Sequence, residues 1–127
     1  MAKVIGSIDN RGRPLVRIDA GDDGLLAIVD SGFNGAMIVA GPSVSLFDRQ
    51  PGGVAVSVEL GNGTTAKFVE TIGTINWLGT KQRIGILVSE SWTPAVDEPS
   101  ALIGTRLLTP HLLLIDFDRG LVEIETQ

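Results

Sequence analysis

Leu25-Leu26-Ala27-Ile28-Val29-Asp30-Ser31-Gly32 is the stretch that decides how this chain is read. Five apolar residues in succession fit a strand covered on both faces, and the run stops on a carboxylate, a hydroxyl and a glycine. Asp-Ser-Gly by itself is short enough to recur as an ordinary strand-ending turn, so its weight comes from its surroundings. Upstream, Val4-Ile5-Gly6-Ser7-Ile8 and Pro14-Leu15-Val16-Arg17-Ile18 flank a turn-like Asp9-Asn10-Arg11-Gly12-Arg13 and predict a first hairpin. Gly21-Asp22-Asp23-Gly24 predicts a second turn. Downstream, Ala36-Met37-Ile38-Val39 reads as another interior strand, and the connection from Gly41-Pro42 to Pro51-Gly52-Gly53 has room for a short helical turn.

The same punctuation continues to the end of the chain. Residues 54–60 and 64–70 alternate around Gly61-Asn62-Gly63, where two glycines and an asparagine would supply the positive φ angles of a tight hairpin. Residues 74–77 and 83–88 form a further pair joined through 78–82, and the polar, proline-bearing stretch 89–100 reads as a loop. Thr105-Arg106-Leu107-Leu108-Thr109 favours one or two helical turns and is stopped by Pro110. Residues 112–118 and 121–125 close the chain as a hairpin around Arg119-Gly120. The expected class is all-β with one short helix near the C-terminus.

With 127 residues, the chain is long enough for one domain with its own core and too short for two ordinary ones, so residues 1–127 are expected to fold as a single domain. Its 10 Lys plus Arg against 15 Asp plus Glu give a formal charge of -5, which argues against a nucleic-acid partner. The absence of cysteine removes thiolate nucleophiles and zinc–thiolate sites, and a lone histidine cannot supply an all-histidine metal cluster. No apolar run approaches the roughly 20 residues of a membrane span, and the N-terminal residues alternate where a signal peptide would be continuously apolar. The expectation is a soluble cytoplasmic protein with no membrane partner.

Few residues remain that can do chemistry. His111 follows Pro110 and has no Gly-x-Ser-x-Gly elbow to serve, so a capping or surface role is expected of it. Asp116 and Asp118, two apart on a strand, would share one face, and with Arg119 beside them they read as a solvated surface. Trp77 and Trp92 read as core or rim packing. Gly61-Asn62-Gly63 lies between strands and does not head a helix, so it is no phosphate cradle.

That leaves Asp30-Ser31-Gly32 with its apolar approach strand, followed much later by Ala101-Leu102-Ile103-Gly104 and the helix 105–108. This ordered pair resembles the retropepsin-like aspartic proteases, including their single-domain bacterial members. In that family an apolar-apolar-Gly segment threads beside the Asp-Thr/Ser-Gly turn and a short helix follows; Leu102, Ile103 and Gly104 stand in the matching places. A glycine-tipped flap lies between the two motifs, and residues 54–70 with Gly61, Asn62 and Gly63 look like it. Residues 74–88 are similar to the hairpin that follows the flap, and residues 112–124 to the ending of the bacterial members. Two departures stand out. Retroviral members pair an aspartate after the first motif with an arginine after the second, and Asn34 and Thr105 replace both, leaving no unpaired buried charge; a hydrogen bond between them would substitute. Phe33 is bulkier than the usual small residue there, though an Asp-Ser/Thr-Gly-Phe form is similar to bacterial relatives.

The resemblance implies a dimeric acid-protease barrel that hydrolyses an extended peptide or protein substrate, with no metal or organic cofactor. Such chemistry needs two carboxylates about 3 Å apart sharing one proton, and this chain carries one Asp-Ser-Gly, so the dyad would have to come from Asp30 of two subunits in a homodimer. Asp30 is then catalytic, Ser31 would hydrogen-bond across the dimer axis, and Gly32 would let backbone approach substrate. Two alternatives stay open: a catalytically silent peptide-binding or assembly module of the same fold, and a small β-barrel in which Asp-Ser-Gly is accidental.

Overall fold

Branched apolar residues at alternate positions, cut by glycine and proline, fold here into short strands rather than helices. A computed structural model of the chain describes residues 2–20, 23–49, 52–59 and 61–127. In order, the elements are β1 (Lys3–Ile8), β2 (Pro14–Ala20), β3 (Asp23–Val29), β4 (Met37–Ala40), a 3-10 helix (Gly41–Leu46) and β5 (Asp48–Arg49). They continue with β6 (Val54–Glu59), β7 (Thr65–Trp77), β8 (Thr80–Ser89), β9 (Ala101–Ile103), the one-turn helix α1 (Thr105–Leu108), β10 (Leu112–Asp116) and β11 (Leu121–Glu125). Strands make up 55% of the structure and helices 8%, which settles the all-β class.

Six strands close on themselves in the order β2-β3-β9-β4-β8-β7, the last returning to β2 through the pair Asp19 and Asn76. Alternate residues point inward: Val16 and Ile18 from β2, Met37 and Val39 from β4, and Ile75 and Trp77 from β7 are all buried. Each such side chain contributes roughly 1.5–3 kcal/mol by leaving water. Trp77 also satisfies its indole N–H, which donates to the Leu107 carbonyl oxygen at 3.1 Å and ties α1 to the barrel. Outside the barrel, β1, β11 and β10 extend the sheet, with β10 as its edge strand.

The strand that positions everything else is β9. It lies between β3 and β4, parallel to the first (Ile28 opposite Leu102) and antiparallel to the second (Ile38 opposite Leu102). The chain leaving β3 must therefore loop over the C-terminal end of β9 before descending as β4. At that end is Gly104, where a methyl group would run into the carbonyl oxygens of Phe33 and Gly35. Its φ of -116° is open to any residue, so the demand for glycine is one of space.

Several local expectations are corrected. The strands expected at 64–70 and 74–77 are one strand, β7, about 40 Å long at strand rise; Gly73 stays in the ladder opposite Ile84, pairing overriding the local break. The turn expected at 78–82 is two residues, Leu78 (φ 51°) and Gly79 (φ 80°), with 80–82 already in β8. Leu78 spends about 1–2 kcal/mol on its left-handed backbone, which burial of its side chain offsets. On β3, Leu25, Ala27 and Val29 are buried, whereas Leu26 and Ile28 are half-buried, so only one face is fully covered. Asp118 lies past the end of β10 in the turn, where its N–H and that of Arg119 donate to Asp116 Oδ1 at 3.1 Å; the two carboxylates do not share a strand face. His111 is half-buried rather than on the surface. Residues 21 and 22 of the second expected turn, residues 50 and 51 of the connection and Leu60 lie outside the described residues.

Gly104→Ala is expected to lower unfolding free energy by about 1–3 kcal/mol, because backbone must move to admit the methyl. Gly85→Ala, where nothing stands within 4 Å of the added carbon, is expected to stay within about 0.5 kcal/mol. Urea denaturation of both variants checks the contrast.

Candidate active site

The segment from Asp30 to Ala36 is held by backbone hydrogen bonds to the β9–α1 junction. Asp30 N–H donates to the Ile103 carbonyl at 2.9 Å, so the approach strand keeps its parallel partner up to the carboxylate. From the other side, Gly104 N–H donates to Ala36 O at 3.0 Å, Thr105 N–H to Phe33 O at 2.8 Å and Arg106 N–H to Gly35 O at 3.2 Å. The N–H groups that open a helix have no intrahelical acceptor, and the loop supplies carbonyls to two of them. Leu102, half-buried, thus acts through backbone pairing, Ile103 through pairing and burial, and Gly104 through its missing side chain. The side-chain bond expected between Asn34 and Thr105 is not formed among the described residues; the Thr105 backbone takes its place through Phe33.

Within this frame Asp30 is half-buried, while Ser31 and Gly32 are exposed. Asp30 Oδ1 accepts the Gly32 N–H at 2.9 Å, which fixes the carboxylate's rotation and leaves Oδ2 without a hydrogen bond among the described residues. A side chain at position 32 would bring its Cβ to 3.2 Å from Asp30 Oδ1. The arrangement presents one carboxylate oxygen at the surface of a rigid loop, suited to proton exchange with water but needing a second acid or base for hydrolysis.

The hairpin of β6 and β7 pairs from Val54 with Glu70 to Glu59 with Thr65. Of the three residues at its tip, Gly63 alone has a positive φ (83°), against the expectation for all three. Asn62 contributes through its side chain, whose Oδ1 accepts the Thr64 N–H at 3.1 Å and hydroxyl at 2.6 Å. At the base of this hairpin, between β7 and the residues following Gly32, lies a cavity of about 220 Å³ that includes Glu70, Arg106 and Met37 in its lining.

The loop between β8 and β9, tied at its end by Ser100 to Leu26 and Ala40, has a further anchor that sequence reading missed. Arg13 donates through Nε to Asp9 Oδ2 at 2.7 Å and through Nη2 to Glu98 Oε2 at 2.8 Å, joining the first hairpin to a residue far along the chain. The hydrogen bond from the Arg13 backbone N–H, ahead of its side chain, holds the Asp9 carboxyl below the ordinary carboxylate range. Glu70 and Arg106 were missed for a similar reason. Arg106 had one local signal, a cation on a helical turn whose Leu107 and Leu108 are buried; Glu70 had none.

No protein-family model and no curated protein sequence matches this chain. Solved structures do. A retropepsin-like aspartic protease from Rickettsia conorii superposes with a TM-score of 0.58 at 15% identity, covering 98% of this chain and 90% of its own. EIAV protease complexed with the inhibitor HBY-793 gives 0.59 at 18% identity, covering 80% of this chain and 90% of its own. At such identities the likeness speaks for architecture. It meets the closed six-strand barrel, the threaded β9 and the short α1 derived above, and the chain has the retropepsin-like fold.

Proposed function

We propose that the chain, residues 1–127 acting as one domain, is an aspartic endopeptidase whose dyad is built from Asp30 and Asp30 of the partner subunit. The observation that carries the reading is Asp30 itself: a half-buried carboxylate with one oxygen fixed and one free, on a surface loop of a fold that its structural neighbours use as aspartic proteases. One carboxylate cannot be both acid and base. Two sharing a proton can, the ionised one taking a proton from a bridging water that attacks the peptide carbonyl, the protonated one giving its proton to the developing tetrahedral oxygen. The working form is the singly protonated pair, and the reaction draws on water and these two groups alone. Ser31, exposed beside the carboxylate, would hydrogen-bond across the twofold axis, and Gly32 would admit substrate backbone. The β6–β7 hairpin would act as the flap, pairing with an extended peptide and excluding water.

A second copy also answers a surface of mixed character. Leu112 (52% exposed), Leu114 (42%) and Ile5 (63%) stand on one face of the β10-β11-β1 sheet, interleaved with Lys3 and its ion-pair partners Glu123 and Glu125, with Phe117 (67%) in the adjoining turn, and β10 is an edge strand open to pairing.

Three outcomes test this reading. Asp30→Asn should retain fold and dimer while cleavage of a peptide library falls at least about a thousandfold, since the amide cannot take the proton; undiminished hydrolysis removes the dyad. Unchanged binding of a statine-centred peptide with no cleavage by the wild-type chain would instead make the protein a silent binder of the same fold. Sedimentation should give a homodimer, and the double substitution Leu112→Asp, Leu114→Asp should shift it to monomer with activity falling in step; an active monomer contradicts it. Gly63→Val, which forces a branched residue into positive φ, should reduce kcat/KM several-fold, and Gly61→Val should do so far less. Equal effects would mean that the hairpin tip does not close over substrate.

A further inference from the structure

The cavity beside the Asp30 loop combines features that the proposed chemistry leaves unused. Its volume, about 220 Å³, lies below the roughly 300 Å³ at which pockets for whole small molecules begin, and suits a single side chain. Phe33, Met37 and Leu87 give it an apolar lining, and Gly85, with open space above its Cα, leaves that wall clear. Asn34 and two charges of opposite sign add its polar lining: Arg106, on the helical turn anchored by Gly104, and Glu70, on the strand that continues into the β6–β7 hairpin. Both are exposed, and among the described residues neither pairs with the other or with any other charge. The cavity therefore lies between the helical turn packed on the Asp30 loop and the strand that continues into the β6–β7 hairpin.

Two opposite charges lining one small cavity discriminate in a particular way. A carboxylate entering it gains from Arg106 and loses to Glu70, an ammonium does the reverse, and for either the two Coulomb contributions largely cancel. A neutral dipole gains from both. A primary amide is the side chain that matches, its carbonyl oxygen accepting from the guanidinium and its NH2 donating to the carboxylate, while its methylene stem lies on the apolar wall. We infer that this cavity is a specificity pocket selecting glutamine or asparagine in an extended peptide, with Arg106 and Glu70 as its two determinants. The inference rests on the peptidase reading and adds the substrate class that the reading lacks.

The test uses non-cleavable statine-centred peptides in which each position flanking the statine carries, in turn, Gln, Glu, Lys or Met, with affinity measured by calorimetry. At one position the wild-type protein should bind the Gln peptide about tenfold more tightly than the Glu, Lys and Met peptides, the size expected of two exposed charge-assisted hydrogen bonds. Glu70→Gln should turn the preference at that position toward Glu, and Arg106→Gln should turn it toward Lys. Rank order is read within each variant, so a general loss of affinity does not obscure it. A flat profile in the wild type, or the same rank order in both variants, overturns the pocket while leaving the dyad standing. Failure to bind any statine peptide overturns the dyad reading, and this inference with it.

Discussion

The structure depends on one steric fact: the Cα of Gly104 lies against the carbonyl oxygens of Phe33 and Gly35. Because that contact is so close, the loop after Asp30 can fold over the end of β9, offer its carbonyls to the opening N–H groups of α1, and return as β4. Protein interiors have little free volume in which to absorb an added atom, so the contact acts as a fixed reference for every residue between 30 and 36. The orientation of Asp30 follows from it. A carboxylate on a mobile surface loop would spend its time solvated in many rotamers; here its backbone N–H is bound to Ile103 and its Oδ1 to Gly32.

The hydrogen bonding around Asn34 and Thr105 shows how this junction is held with neutral side chains at both positions. A buried pair of opposite charges is costly to desolvate, and removing only one member leaves the other stranded. Neutral residues at both positions avoid that penalty. The connection is made in the backbone, through Thr105 N–H and Phe33 O at 2.8 Å, and Asn34 is exposed at the cavity edge.

Much of this was legible in the sequence, and the pattern of success has a physical cause. The strands around Asp30 and the short helix before Pro110 were readable because local signals and tertiary packing agree there, whereas Leu102-Ile103-Gly104 was placed by family resemblance alone. Where they compete, pairing won: Gly73 marks a break locally, yet β7 runs through it with β8 beside it. The hairpin tip was read too generously, since Asn62 shapes the turn with its side chain and Gly63 alone takes positive φ. The Arg13–Glu98 ion pair and the shared cavity of Glu70 and Arg106 bring together residues distant in sequence. No local pattern encodes such meetings; only the register of the sheet does.

Among the described residues, the barrel's closure between β2 and β7 shows one pair, Asp19 and Asn76, whereas β7 and β8 are paired all along from Val69 to Trp77. The staves of this barrel are therefore unequally joined. If the wall parts by thermal opening, it parts along that seam, and β7 swings with β8 rather than away from it. Since β7 also carries one arm of the β6–β7 hairpin, motion at the tip and breathing of the seam belong to the same rigid lever, with its far end anchored by Trp77 in the core.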